Sequence, residues 1–222
     1  MAGGSVDHRF HKEPLAQGRT EAQRDHDRVL YSSAFQRLTG ITQIASSEVG
    51  HQLHNRLTHS LKVAQVARRL AERLGLKADT QERASAASLA HDLGHPPFGH
   101  VAEDELNLMA TEWGGFEGNA QTFRILTKLA VRDLRYRGLN LTAPTLNGVL
   151  KYPWIVGDAP EGKEKNWGAY RTERKEFEWV RAGLPKWERT VEAGSWTGQT
   201  MSPTQFTTLR TSTAWGSFRL TV

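Results

Sequence analysis

Apolar residues return along this chain at the spacing of a helix far more often than at the alternation of a strand. The clearest stretch is Leu57, Leu61, Ala64, Ala67, Leu70, Ala71 and Leu74, which follows i, i+3, i+4 steps until Gly75 supplies a stop. Asp79 or Thr80 then caps an Ala-rich helix expected to reach about Leu93, where Gly94 and the Pro96-Pro97 pair end it. Upstream, Val29, Leu30, Phe35 and Leu38 fall at mixed helical spacings within about 21 to 38, before a break at Gly40 and a polar loop through Ser46, Ser47 and Gly50. Downstream the pattern predicts helices over about 99 to 111, 118 to 135, 145 to 151 and 171 to 182. No segment alternates with β-branched residues over the length of a strand, and no repeat recurs, so the expected fold is all-α. Residues 1 to 20 are polar and carry no period; they are expected to form a mobile arm ahead of a helical core at 21 to 192.

Composition narrows the partners and the chemistry. With 222 residues, 38% of them hydrophobic and 24% charged, the chain can bury one sizeable core. It has no run of about 18 apolar residues that would span a bilayer, and its start, MAGGSVDHRFHKEP, lacks the apolar stretch of a secretory leader. A cytoplasmic protein without a membrane partner is expected. There is no cysteine, so any metal ion must be held by His, Asp or Glu. The net charge of +5 raises the question of nucleic acid. Setting aside Arg210 and Arg219 in the last 30 residues, which hold no acid, the 29 basic residues become 27 against 24 acidic ones. Nucleic acid is therefore at most a secondary partner.

The residues that carry chemistry lie on neighbouring predicted helices. His91-Asp92 puts an imidazole and a carboxylate together at one helix end, a donor pair suited to Mn, Fe, Zn or Mg. His59 lies one turn beyond Arg56 on the preceding helix, and antiparallel pairing would let it face His91 and Asp92. A single histidine is more often a surface or core residue. The string AHDLGHPPFGH is a different matter, because its Gly and Pro residues impose a sharp turn expected to keep His95 and His100 close to that pair. His100 and Glu103 share a helix face, as a general acid/base histidine and its orienting carboxylate would.

These segments, RDHDRVLYSSAFQRLTGITQI, NRLTHSLKVAQ, AHDLGHPPFGHVAEDEL and FEGNAQTFRIL, resemble the deoxyguanosinetriphosphate triphosphohydrolase-like branch of the HD superfamily over about residues 20 to 192. The resemblance implies an all-helical enzyme that cuts a deoxynucleoside triphosphate to deoxynucleoside and inorganic triphosphate. It implies a divalent metal ion on His59, His91 and Asp92, with His100 and Glu103, and His95 beside them, assisting catalysis. Arg56 would meet phosphate, and Gln43 and Ile44 would lie against the sugar. Asn119 and Gln121 belong to the family signature, either as substrate contacts or as hydrogen-bonding residues at a helix start. Intact members of the family form homo-oligomers.

The departure from that family begins after Ala193. The resemblance calls for a fourth ligand, an Asp in a stretch like EAExMDWADDxxYA, yet residues 194 to 222 contain eight Thr and no Asp, Glu, Lys or His. The genetic code offers a reason. If one base is lost in a Glu codon after Ala193, the segment from Gly194 to Phe206 can be written in codons whose second frame reads MDWADDVTYAV. Trp196 followed by Thr197 forces the first Asp of that string. The tail from 193 is thus expected to be out-of-frame and without native structure, leaving the helical core incomplete at its C-terminus, with weak or absent activity. A non-catalytic fragment, a pseudogene product or a subunit of a mixed oligomer is the alternative. An HD hydrolase for another phosphate ester is a further one, against which Gln43 and FEGNAQ speak. Sequencing the gene checks the frame: the expected codons keep MDWADDVTYAV open, and codons incompatible with it would end the idea.

Overall fold

The computed structural model describes residues 9–15, 17–41 and 55–197. Within them the chain is helical, with isolated β-bridges and no strand. The order is α1 (Glu21–Leu30), α2 (Ser33–Gln36) running into a 3-10 turn (Arg37–Gly40), α3 (Arg56–Arg73), α4 (Ala78–Ala90), α5 (Gly99–Met109), α6 (Gly118–Arg124), α7 (Ala143–Val149), α8 (Arg174–Val180) and α9 (Val191–Thr197).

Local chemistry accounts for several of these ends. Thr20 and Gln23 form a capping box on α1, each side chain bonded to the other's backbone N–H. The Asn55 side chain accepts from Thr58 N to open α3, and Gly75, at φ +68°, lets the Leu76 N–H return to Ala71 O and close it. α4 is the spine. Its residues from Arg83 to Ala90 are all buried, and small side chains let α1, α3, α7 and α9 pack close around it. Phe35, Leu38, Leu89, Leu93, Phe123 and Leu126 fill the centre of the resulting core.

Three elements end elsewhere than the periodicity predicts. α4 stops at Ala90 and residues 91 to 94 form a turn. The helix expected over 118 to 135 is α6 followed by one π-helical turn, Ile125–Leu129, after which Leu139 N returns to Leu126 O. That reversal buries Leu139 and Leu141, which a continued helix would carry away from the core. Residues 193 to 197, expected to lack native structure, complete α9, with Ala193 and Ser195 buried. The loop at Ser46, Ser47 and Gly50 lies outside the described residues.

The segment from Arg9 is likewise no free arm. Arg9 bonds Glu21, Asp25 and the carbonyl of Asn140, while Glu13 accepts from Arg24 and Arg28. Asp25, with no exposed surface, takes Arg9 Nη1 at 2.6 Å, Thr142 N at 2.9 Å and Thr142 Oγ1 at 2.6 Å. Three donors answer one buried carboxylate, so its removal leaves the Thr142 N–H without its acceptor and takes one of two carboxylates from Arg9. Asp25→Ala is expected to cost about 3–5 kcal/mol in chemical denaturation, against under about 1 kcal/mol if this network were merely peripheral.

Candidate metal centre

α3 and α4 run antiparallel, which brings the first turns of α3 to the end of α4. His59 and His91 then lie with ring centroids 5.4 Å apart. One donor atom each from His59, His91 and Asp92 falls within 4.8 Å of the others. His91 Nδ1 is 2.6 Å from Ser88 O, and a carbonyl can only accept, so this nitrogen carries the proton. The other nitrogen, Nε2, keeps a lone pair and lies 3.5 Å from Asp92 Oδ1. Burial lowers the His91 pKa, which keeps the ring neutral and able to ligate.

Asp92 is 4% exposed. Burial works against its charge, but His91, His95, Arg56 and His59 outweigh it and hold its pKa below the usual value. Arg56 Nη1 reaches Oδ1 at 3.0 Å, whereas buried Oδ2 has no hydrogen-bond partner. A buried anionic oxygen without a donor, beside two imidazoles, suits a divalent cation, so the residues fit the metal that the sequence anticipates.

The turn after α4 is clamped by α6. Thr122 Oγ1 donates within the reach of His91 O (3.2 Å) and Gly118 O (3.0 Å) and accepts from Gly94 N (2.9 Å). A Cβ on Gly94 would lie 2.2 Å from Gly118 O and from Thr122 N, so no other residue allows this approach. The same turn holds His95 Nδ1 3.5 Å from Asp92 Oδ1, with burial pushing the His95 pKa down to about 4.

The remaining candidates are placed differently. His100 bonds Glu103 Oε2 through Nδ1 at 3.1 Å, but its side chain is 90% exposed. The turn thus brings His95, and not His100, against the carboxylate. Glu103 Oε1 accepts from Gly118 N at 2.6 Å, so Glu103 joins α5 to the start of α6. Asn119 donates to Glu117 Oε1 at 2.7 Å, the helix-start arrangement; Gln121 is half-buried on the same helix. Gln43 and Ile44 lie outside the described residues.

Two residues of the site went unread in the sequence. Trp196 on α9 packs its ring 5.0 Å from that of His91 and donates from Nε1 to Gly148 O at 2.7 Å. Glu117 caps α6 by accepting from Ala120 N at 2.8 Å, and burial pushes its pKa up from 4.5 to about 7. A carboxyl raised in this way favours the fold while protonated; that contribution is complete below about 4.5 and is lost as pH rises through about 7. Glu117→Gln is therefore expected to gain on the unaltered chain by on the order of 3 kcal/mol between about pH 5 and about pH 8, measured by denaturant titration. Parallel stability curves would refute the assignment.

Residues 56–144 match the HD domain family, a span that opens at Arg56 and holds all three donors. The chain is 52% identical over 141 residues to a deoxyguanosinetriphosphate triphosphohydrolase-like protein of Caulobacter vibrioides, covering 64% of this chain and 35% of that one. It is 44% identical over 185 residues to one from Streptomyces coelicolor, covering 79% and 43%. A third, from Pelagibacter ubique, is 46% identical over 150 residues, covering 68% and 40%. The chain spans less than half the length of these relatives. It carries an HD domain over residues 56–144 and is similar over 64–79% of its length to deoxyguanosinetriphosphate triphosphohydrolase-like proteins.

Proposed function

We propose that this chain is the metal-binding core of a hydrolase that splits deoxynucleoside triphosphates of the dGTP kind into deoxynucleoside and inorganic triphosphate, acting in the cytoplasm. The observation that carries this reading is the convergence of His59, His91 and Asp92, with Arg56 on the same carboxylate. The substrate class comes from the name shared by the relatives. A divalent ion (Mn, Mg, Fe or Zn) held by the three donors would supply an acidified water and neutralise phosphate charge.

The side chains supply the rest. Arg56, whose buried Nε has no hydrogen-bond partner, would hold phosphate beside the cluster. His95, kept neutral by burial, offers an uncharged ring next to Asp92. His100, oriented by Glu103, would protonate the departing 5′-oxygen of the sugar once substrate covers its exposed ring. Gln43 and Ile44 would meet the sugar. Asn119, being engaged by Glu117, would shape the turn and leave any direct signature contact to Gln121.

A second, non-catalytic reading is favoured by Trp196. An indole packs on His91 from the helix that packs against α3 and α4. In the second frame the Asp that lies four residues before the Tyr is read across Gln199 and Thr200, so the out-of-frame proposal removes a carboxylate ligand from the stretch after Trp196. Calorimetric titration with Mn(II) and a triphosphate-release assay on dGTP separate the readings. The unaltered chain is expected to bind Mn(II) with weak or absent turnover; Asp92→Ala and His91→Ala should each weaken binding by roughly tenfold or more, and adding back the ligand Asp by returning the segment after Ala193 to the second frame should tighten it by roughly tenfold. Failure to bind Mn(II) would sink the metal centre, and robust triphosphate release without the added Asp would sink the missing-ligand account.

A further inference from the structure

A second guanidinium stands at the turn that carries Asp92. Arg37 opens the 3-10 turn after α2, between Phe35 and Leu38, whose buried side chains fix the backbone on either side. From there it reaches the end of α4, where its Nη2 donates to Leu93 O at 2.7 Å. Leu93 follows Asp92 directly, so this cation lies against the turn that aims the metal donors. The 3-10 turn is also tied to the start of α3, because Arg56 N donates to Ile41 O at 2.9 Å. Arg37 and Arg56 are thus held near one another by the backbone itself. Arg37 is exposed, whereas Arg56 is buried.

The charges around this turn do not balance. Arg56 already answers the Asp92 carboxylate through Nη1 at 3.0 Å. Arg37 has a carbonyl for a partner and enters no ion pair among the described residues. A carbonyl satisfies an N–H but neutralises no charge. Burial first, and then the charge of Arg56, lower the Arg37 pKa, as expected of two guanidiniums close enough to repel. A divalent ion on His59, His91 and Asp92 would make the excess of positive charge larger still. An anion with several oxygens relieves such repulsion by bridging the two cations.

We propose that Arg37 is a phosphate-binding residue of this site, meeting a triphosphate from the solvent side while Arg56 meets it from the buried side. This rests on the reading of the cluster as a metal centre for deoxynucleoside triphosphates, and it gives the triphosphate a second anchor. The bond to Leu93 O occupies part of the guanidinium fork and fixes where the rest points. Less side-chain freedom is then lost when phosphate arrives.

Isothermal titration of the full chain with inorganic triphosphate, metal-free under EDTA and as its Mn(II) complex, tests the proposal. Arg37→Gln removes the charge and keeps a side-chain donor for Leu93 O, whereas Arg37→Lys keeps the charge. Both should fold, since Arg37 is exposed, which circular dichroism checks. Arg37→Gln is expected to weaken triphosphate binding by roughly tenfold in each condition. Its Mn(II) affinity, titrated separately, should stay within about twofold of the unaltered chain. Arg37→Lys should keep triphosphate affinity within about threefold. Raising NaCl from about 50 to about 200 mM should weaken triphosphate binding more in the unaltered chain than in Arg37→Gln. A residue that merely clamped Leu93 would instead lose Mn(II) and triphosphate affinity together. That parallel loss, an Arg37→Gln chain that binds triphosphate as tightly as the unaltered one, or an unaltered chain that binds none would each overturn the proposal. If Mn(II) does not bind, the metal centre fails, and the affinity ratio under EDTA still decides Arg37.

Discussion

A carboxylate buried at the end of a helix is the constraint around which this structure is arranged. Taking Asp92 out of water costs several kcal/mol unless its charge is answered from within the protein. Arg56 answers one oxygen, at 3.0 Å, and two imidazoles stand close by, but the second oxygen has no donor. A structural ion pair would use both oxygens. Leaving one oxygen bare beside neutral His91, whose proton is fixed on the far nitrogen by Ser88 O, is the electrostatic form of a site waiting for a cation. The Arg56–Asp92 pair also explains why α3 begins where it does, since Arg56 is its first residue and Ile41 O receives the Arg56 N–H.

Placing that carboxylate demands a rigid support. α4 provides it by being narrow: alanine and serine side chains let four helices close around a spine whose last eight residues are buried. At its end the chain leaves the helix and threads between Asp92 and α6, a gap that only Gly94 passes. Thr122 then ties both sides of the gap through a single hydroxyl. The fold thus spends its tightest packing on the turn that aims the donors, and leaves α5, the helix carrying His100, without buried residues.

Much of this could be read from the chain, and the rest could not for physical reasons. The 18 residues of α3 and the donor His59 on its first turn follow from an unbroken period and from a residue type that suits a metal. The turn at 91 to 94 was foreshadowed by Gly94 and the prolines, but its onset at His91 is set by contact with α6, which no local pattern records. The π turn after α6 arises because Leu139 and Leu141 are drawn into the core, a tertiary demand. The docking of Arg9 on Asp25 joins residues 16 apart, and Asp25 meets Thr142 across 117 positions. Such pairings look like scattered surface charge in a single sequence. α9 was missed because a tail without helical period gives no signal, although Ala193 and Trp196 fit the space between α3, α4 and α7. Glu117 escaped notice because a glutamate is an uncommon helix cap, and its weight comes from burial alone.

The account rests on Asp92 and the two histidines converging on one ion. Anomalous diffraction from a crystal of the unaltered chain soaked in Mn(II) tests this most directly. The predicted result is a single strong peak roughly 2.1–2.3 Å from His91 Nε2, Asp92 Oδ2 and an imidazole nitrogen of His59. A map with no peak at these atoms, and Asp92 held by Arg56 and water alone, would contradict it.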